Sequence, residues 1–265
     1  LEACREAGVY VPYLCWHPSL KPFGACRVCL VEVEERGRKS RVTSCTARVS
    51  SGMAVTTQNA ELENLRKSVV FFTLSEHPHG CLTCHRIEHC LPTDVCQRNV
   101  SVTDRCVVCP QNGRCELQDV VYKMGIGSGT SVPLPYTYRQ MPLETSNPFI
   151  HHDMNLCIVC GRCVRACNEL EGVDAITFVN RGDRTVIGTS FGGSLAESGC
   201  TYCGVCVDVC PVGAIVEKDS KWSGSPDREV SSVCADCSIG CGLQLQVKGK
   251  KLLRSFFRAE GASDG

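Results

Sequence analysis

Cys157, Cys160, Cys163 and Cys167 form a C-x2-C-x2-C-x3-C run, and Cys200, Cys203, Cys206 and Cys210 repeat it, with Pro211 following. That run is a ligand set for a [4Fe–4S] cluster, and where it occurs twice the fourth cysteine of each run ligates the other cluster. Ligation is therefore expected to cross: Cys157, Cys160 and Cys163 with Cys210, and Cys167 with Cys200, Cys203 and Cys206. Paired clusters of this kind pass single electrons. The chain holds 23 cysteines in 265 residues, a density that fits a disulfide scaffold or a metal protein. Disulfide scaffolds are usually short and secreted. This chain is long, and cysteines in C-x2-C steps are poor disulfide partners but good ligands of one centre. A reducing compartment follows, and the cytoplasm is the expected location.

Further cysteine sets surround this octet. Cys15, Cys26, Cys29 and Cys45 are spaced C-x10-C-x2-C-x15-C, with Gly24 and Ala25 small enough for backbone amides to approach the sulfurs. One tight pair and two distant members suit a [2Fe–2S] centre; zinc also accepts four cysteines, though more often as two close pairs. His77-x3-Cys81-x2-Cys84-x5-Cys90 is followed by Cys96-x9-Cys106-x2-Cys109-x5-Cys115. Both contain C-x2-C-x5-C and read as two copies of one loop, each holding a [4Fe–4S] cluster. In the first, a neutral imidazole replaces one thiolate, a change that raises potential in Rieske centres. His79, His85 and His89 compete with His77, and Cys96 has a second reading as a buried structural thiol. Cys234, Cys237 and Cys241 supply three ligands of another [4Fe–4S] cluster or, alternatively, part of a zinc ribbon. Only Cys4 stays outside these sets, as a small core residue. Arg27, Arg86, Arg105, Arg114, Arg162 and Arg165 stand beside ligands, where cations would stabilise anionic clusters.

The elements that must position these residues are short. Alternating apolar residues predict a strand over 26–34, with its turn at 35–38. A helix is predicted after a cap near Asn59, with Leu62, Leu65, Val69 and Phe72 on one inward face. A second helix over 116–124 would aim its N-terminal amides at an anionic cluster. Glycine and proline mark 125–148 as a linker, and 219–230 reads as another. Formal net charge is zero, so neither nucleic acid nor an anionic membrane is implied. The longest apolar run, Val69-Val70-Phe71-Phe72, is far too short to span a bilayer. No signal peptide is visible, and the chain opens with Leu1 inside a domain. Neither a G-x-G-x-x-G fingerprint nor a P-loop occurs, so the chain reads as a wire whose terminal chemistry lies elsewhere.

Taken in order, Cys15…Cys26-Arg27-Val28-Cys29…Cys45, His77-x3-Cys81-x2-Cys84-x5-Cys90 and the octet resemble the iron–sulfur subunit family of respiratory complex I. NAD-reducing hydrogenases and NAD-linked formate dehydrogenases share this module order. The segment Val233-Cys234-Ala235-Asp236-Cys237-Ser238-Ile239-Gly240-Cys241 resembles the opening of a molybdopterin oxidoreductase domain, with its first hairpin over 244–254. The resemblance implies an α+β chain. A [2Fe–2S] ferredoxin-like domain of β-grasp type would occupy 1–58, N-terminally incomplete. A helical [4Fe–4S] domain would occupy 59–124, a 2[4Fe–4S] ferredoxin domain 149–218, and a truncated pterin-family [4Fe–4S] domain 231–265. It implies one [2Fe–2S], four complete [4Fe–4S] and part of another, with small cores in each module and much of the folding energy from ligation. A molybdenum or tungsten bis-pterin and FMN would lie in partner chains or beyond this sequence. The expected partners are a flavoprotein that binds NAD(H) and a catalytic molybdenum, tungsten or hydrogenase subunit, in a hetero-oligomer. The expected function is electron relay between a formate dehydrogenase-like site and that flavoprotein; no complete active site is visible. A relay of a hydrogenase or of complex I is the alternative, and a structural zinc protein the alternative of another class. One departure stands out: Cys106, Cys109, Cys115 and the following Glu116-Leu117-Gln118-Asp119 resemble the family loop more closely than the first copy does.

Overall fold

The computed structural model describes residues 1–96, 104–127 and 129–257, all 23 cysteines among them. Parts of the expected domains, residues 97–103 and 258–265, lie outside the described residues. A short helix, α1 (Glu2–Glu6), leads into the loop that carries Cys15 and Cys26. Next come β1 (Leu30–Glu35) and β2 (Arg38–Thr43), an antiparallel hairpin in which Glu35 faces Arg38. Its turn residues Arg36 and Gly37 both have positive φ, 51° and 75°, as a two-residue hairpin turn requires. β3 (Ala54–Thr56) pairs with the other edge of β1. Val31 and Val33 point inward from β1, joining Val11, Trp16, Cys29 and Cys45 in a small core against which Cys4 packs.

α2 (Ala60–Glu76) starts where the sequence predicts, with the Asn59 side chain accepting a hydrogen bond from the Leu62 amide at 2.8 Å. Its buried face differs from the expected one. Leu62, Arg66, Val70 and Leu74 are buried, whereas Leu65 and Phe72 are exposed, Phe72 to 66%. The helix is turned because Arg66 points inward, its guanidinium donating to the carbonyls of Leu30 and Thr57. A polar residue on the inner face is invisible to a search for apolar periodicity. α3 (Glu116–Lys123) follows Cys115 as expected.

The octet region is built from matched halves. It contains β4 (Ile150–His152), α4 (Arg162–Glu169), the hairpin β5 (Thr177–Val179) and β6 (Val186–Gly188), α5 (Val205–Asp208), and β7 (Ile215–Glu217), which pairs with β4. Cys163 and Cys206 open the two short helices, each capped by a left-handed glycine, Gly161 or Gly204. Then β8 (Arg228–Val233), β9 (Gly242–Lys248) and β10 (Lys251–Phe257) form an antiparallel sheet in the order β10-β9-β8. The β9–β10 turn at Gly249 realises the hairpin expected over 244–254.

The expected small cores are largely replaced by one. A continuous cluster runs from Leu14 and Val28 through Val70 and Leu74, then Leu117 and Val121, to Ile150, Leu156, Val212 and Ile215. The glycine- and proline-rich stretch over 125–148 has little regular structure yet is held down. Ile126 is buried, the Thr137 amide donates to Ser75, and Met141 exchanges two hydrogen bonds with Asn155. In the second expected linker, Lys221 is buried against Asp153 at 2.8 Å. Among the described residues no helix is long and apolar enough to cross a membrane.

Candidate metal centres

The four N-terminal cysteines converge between α1 and the hairpin. The Cys15 amide reaches the Cys26 sulfur at 3.4 Å, and the Cys26 amide reaches the Cys15 sulfur at 3.5 Å. Thiol contacts join Cys15 to Cys26 and Cys45, and Cys29 to Cys45. Hydrogen bonds from Cys26 and Cys45 push the Cys15 thiol well down, and one from Cys45 brings Cys29 down to about 6. Backbone left-handed at Gly24 and Arg27 curls the loop around the sulfurs. Two buried guanidiniums flank the set: Arg66, and Arg165, which donates to the carbonyls of Lys21 and Cys15.

The octet forms two neighbouring cavities. Cys157, Cys160, Cys163 and Cys210 line one. Cys167, Cys200, Cys203 and Cys206 line the other. Each cavity takes three cysteines from one run and the fourth from the other. Backbone amides are aimed at the sulfurs, Val159 to Cys157 at 3.3 Å and Ala175 to Cys167 at 3.2 Å. Burial pushes the Cys157 and Cys206 thiols up to about 12 and raises Cys160 and Cys163 as well. His152 and Ile215 line both cavities. Burial holds His152 neutral, pushed down to about 4, and its Nε2 has no hydrogen-bond partner.

A third cavity is lined by His77, Cys106, Cys109 and Cys115, with Leu82, Leu156 and Gly213 among the other walls. The His77 Nδ1 lies 3.1 Å from the Pro78 carbonyl. A carbonyl only accepts, so Nδ1 carries the proton and Nε2 keeps its lone pair; metal-binding histidines are oriented by such bonds. Burial pushes His77 down to about 4, so the ring is neutral. Cys115 stands at the N-cap of α3, and burial pushes its thiol up to about 12. Gly213 leaves room for Cys109: a Cβ there would stand 2.4 Å from the Cys109 sulfur. Spacing alone groups His77 with Cys81, Cys84 and Cys90, and Cys96 with Cys106, Cys109 and Cys115. The structure instead brings His77 to the latter three, because 77–82 folds over the start of α3. Sequence distance does not report that packing.

Cys81 is buried and touches Cys106, while Cys84, Cys90 and Cys96 are half-buried on the loop beyond. Of the competing histidines, His79 bonds the Leu74 carbonyl through Nδ1, and His85 and His89 are exposed. Among the arginines expected beside ligands, Arg105, Arg162 and Arg165 are buried, while Arg27 and Arg86 are exposed. Cys234, Cys237 and Cys241 sit on the loop between β8 and β9, where the Cys234 amide donates to the Cys241 carbonyl at 2.8 Å and Cys237 is exposed. These donor sets fit iron–sulfur clusters: soft thiolates, one neutral imidazole, and amides directed at sulfur. Among the described residues no three His, Cys, Asp or Glu side chains converge as a single ion would require. Cluster ligands bind separate iron atoms and need no common point. Sequence reasoning missed Gly213, His152 and the pair of Arg162 with Glu116 at 2.6 Å, each of which depends on a contact across the fold.

The folded modules and their cysteine sets define a multi-cluster, ferredoxin-type iron–sulfur protein. The sequence matches the 2Fe-2S iron-sulfur cluster binding domain over 1–60 and the NADH-ubiquinone oxidoreductase-G iron-sulfur binding region over 103–129. It matches the ferredoxin-like domain of NADH-quinone oxidoreductase subunit 3 over 147–216 and the molybdopterin oxidoreductase Fe4S4 domain over 227–264. The NADPH-Fe(3+) oxidoreductase subunit alpha of Geobacter sulfurreducens is 32% identical over 256 residues, 96% of this chain and 26% of the relative. An NADH-quinone oxidoreductase subunit of Escherichia coli is 30% identical over 249 residues, 92% of this chain and 24% of the relative. A chain of an NAD+-reducing [NiFe]-hydrogenase, solved in the H2-reduced state, superposes with a TM-score of 0.65 at 29% identity, covering 84% of this chain and 82% of that one. The chain belongs to the iron–sulfur subunit family of complex I. It spans about a quarter of the length of the curated relatives it matches.

Proposed function

We infer that the chain is the electron relay of an NAD(P)H-linked oxidoreductase complex, taking electrons to or from a flavoprotein partner. The crossed cysteine sets around two adjoining cavities carry this reading, since two clusters sharing His152 and Ile215 as a wall suit one-electron transfer between them. The clusters, when bound, supply that one-electron chemistry, and a partner flavin would convert it to hydride chemistry. The chain's own residues hold the sulfurs, exclude water from most of them and set the local charge. The proposed ligands are Cys15, Cys26, Cys29 and Cys45 for [2Fe–2S]; Cys157, Cys160, Cys163 and Cys210 for one [4Fe–4S]; and Cys167, Cys200, Cys203 and Cys206 for the next. His77, Cys106, Cys109 and Cys115 would hold another, supported by the shared cavity and the free Nε2. Cys234, Cys237 and Cys241 would supply three ligands of a further site, supported by the match over 227–264.

The finer reading, a molybdenum or tungsten pterin enzyme of formate dehydrogenase type at the far end, draws its support from the match over 227–264. The hydrogenase-type superposition favours the second reading, a relay from a hydrogen-activating subunit. The native complex, purified and analysed for iron, sulfide, molybdenum, tungsten and nickel, separates them. Formate-dependent NAD reduction with molybdenum or tungsten supports the first, and nickel with hydrogen uptake supports the second. Iron and sulfide with none of these metals leaves the NADH-dehydrogenase type. Zinc without sulfide overturns the relay altogether.

A further inference from the structure

Among the described residues six cationic side chains are buried: Arg66, Arg105, Arg162, Arg165, Lys221 and Arg254. Three meet carboxylates, Arg162 with Glu116, Lys221 with Asp153, and Arg254 with Asp208 and Glu217. Among the described residues the other three have no carboxylate partner. Two of these, Arg66 and Arg165, lie against the cysteine set assigned to [2Fe–2S]. A buried cation without a counter-charge is costly; beside an anionic cluster it is compensated. Arg105 is the third, and the most deeply buried, at 0% exposure. Its guanidinium donates to the carbonyls of Asp94 at 2.7 Å, Leu91 at 2.9 Å and Pro92 at 3.3 Å, and to the Cys90 sulfur at 2.8 Å. Its Nε has no partner. Arg105 therefore organises the 90–94 segment and points its charge at a cysteine.

The cavity containing His77, Cys106, Cys109 and Cys115 already offers four ligands. Cys81, Cys84, Cys90 and Cys96 then remain, a C-x2-C-x5-C run with one more cysteine six positions on. We propose that Cys81, Cys84, Cys90 and Cys96 hold an additional [4Fe–4S] cluster whose counter-cation is Arg105. This rests on the relay reading and extends it. The contact of Cys81 with Cys106 sets the new site next to the His77 centre, ligand against ligand, so the relay gains a branch or an end on the half-buried loop. Hydrogen bonding from Arg105 to the Cys90 thiolate stabilises the more negative, reduced form, so Arg105 raises the potential of this centre.

The test uses the purified complex, with iron, acid-labile sulfide and EPR-monitored redox titration. Replacing Cys84 and Cys96 together by alanine removes about four iron and four sulfide per chain if the two share a cluster. It removes about eight of each if Cys96 belongs with Cys106, Cys109 and Cys115. The first result is expected, with the [2Fe–2S] and octet signals intact; the second overturns the site. His77→Cys, which keeps a ligand and a fold, gives an independent readout in the Cys84→Ala/Cys96→Ala background. It should still alter one cluster's spectrum there; no change places His77 on the lost centre and overturns the assignment. Arg105→Gln should lower the midpoint potential of one [4Fe–4S] centre only, with Arg105→Lys closer to wild type. A shift in no centre removes Arg105 from the site. Wild-type iron and sulfide that do not fall in the double variant sink this site alone, whereas a wild-type chain without sulfide sinks the relay as well.

Discussion

At the scale of single residues, the room left beside a cysteine matters as much as the cysteine: at Gly213 the absence of a Cβ is what admits the Cys109 sulfur. Thiolates announce themselves by type and by a spacing that few other chemistries use, so the runs alone are enough to propose a crossed pairing of Cys210 and Cys167, and the cavity each cysteine lines could be anticipated from them. Gly213 could not be: among 24 glycines nothing in the sequence distinguishes it. Its meaning comes from the 2.4 Å at which a Cβ would meet the Cys109 sulfur. That atom is held by the loop before α3 and cannot retreat like the end of a long side chain. Gly213→Ala is therefore expected to cost the His77 centre, removing about four iron per chain while the octet signals persist. Iron analysis with EPR checks it; full iron content would show that Cys109 has freedom to move. His77 shows the same limit from the other side. Its residue type suggested a ligand, but the cysteines that share its cavity became apparent only when the fold placed it there.

At the scale of elements, local rules predicted what local forces decide. The Asn59 cap, the turn at Arg36-Gly37, the helix after Cys115 and the β9–β10 hairpin all follow from residues within a few positions of one another. The inner face of α2 did not, since Arg66 is drawn inward by carbonyls of two other segments. The same holds for the link between α3 and α4. Arg162 on α4 is buried and forms a bidentate pair with Glu116 on α3, both contacts at 2.6 Å, the glutamate side chain being 35% exposed. Removing the carboxylate leaves a buried guanidinium beside Cys160. Glu116→Ala is expected to destabilise the holoprotein by about 2–4 kcal/mol, somewhat below a fully buried pair because water reaches the glutamate. Adding Arg162→Met should recover much of that loss, since the uncompensated charge is gone. Chemical denaturation of both variants tests this. Equal stability of the single variant and wild type would mean that the cluster's own charge suffices for Arg162.

At the scale of the whole molecule, the octet and His77 sites and the main apolar core are one structure. Cys115, Cys157 and Cys163 belong to the main core, and Cys106, Cys167, Cys200, Cys206 and Cys210 pack against it. The same core includes Val70 and Leu74 of α2, which carry no ligand. Small independent cores would let each module lose its cluster alone. A shared core lined by ligands behaves otherwise: removing iron leaves buried thiols around empty space, and the apolar contacts on their far sides loosen with them. Burial also raises the buried octet thiols, so they take up protons as iron leaves, and rebinding must release those protons again. Anaerobic chelation should therefore deprotect backbone amides in α2 and α3 together with those around the octet in hydrogen-exchange measurements. Amides of β8, β9 and β10, whose strands pair mainly with one another, should respond less. Protection retained at Val70 and Leu74 after complete iron loss would contradict a common core and would restore the picture of modules that fold separately along the wire.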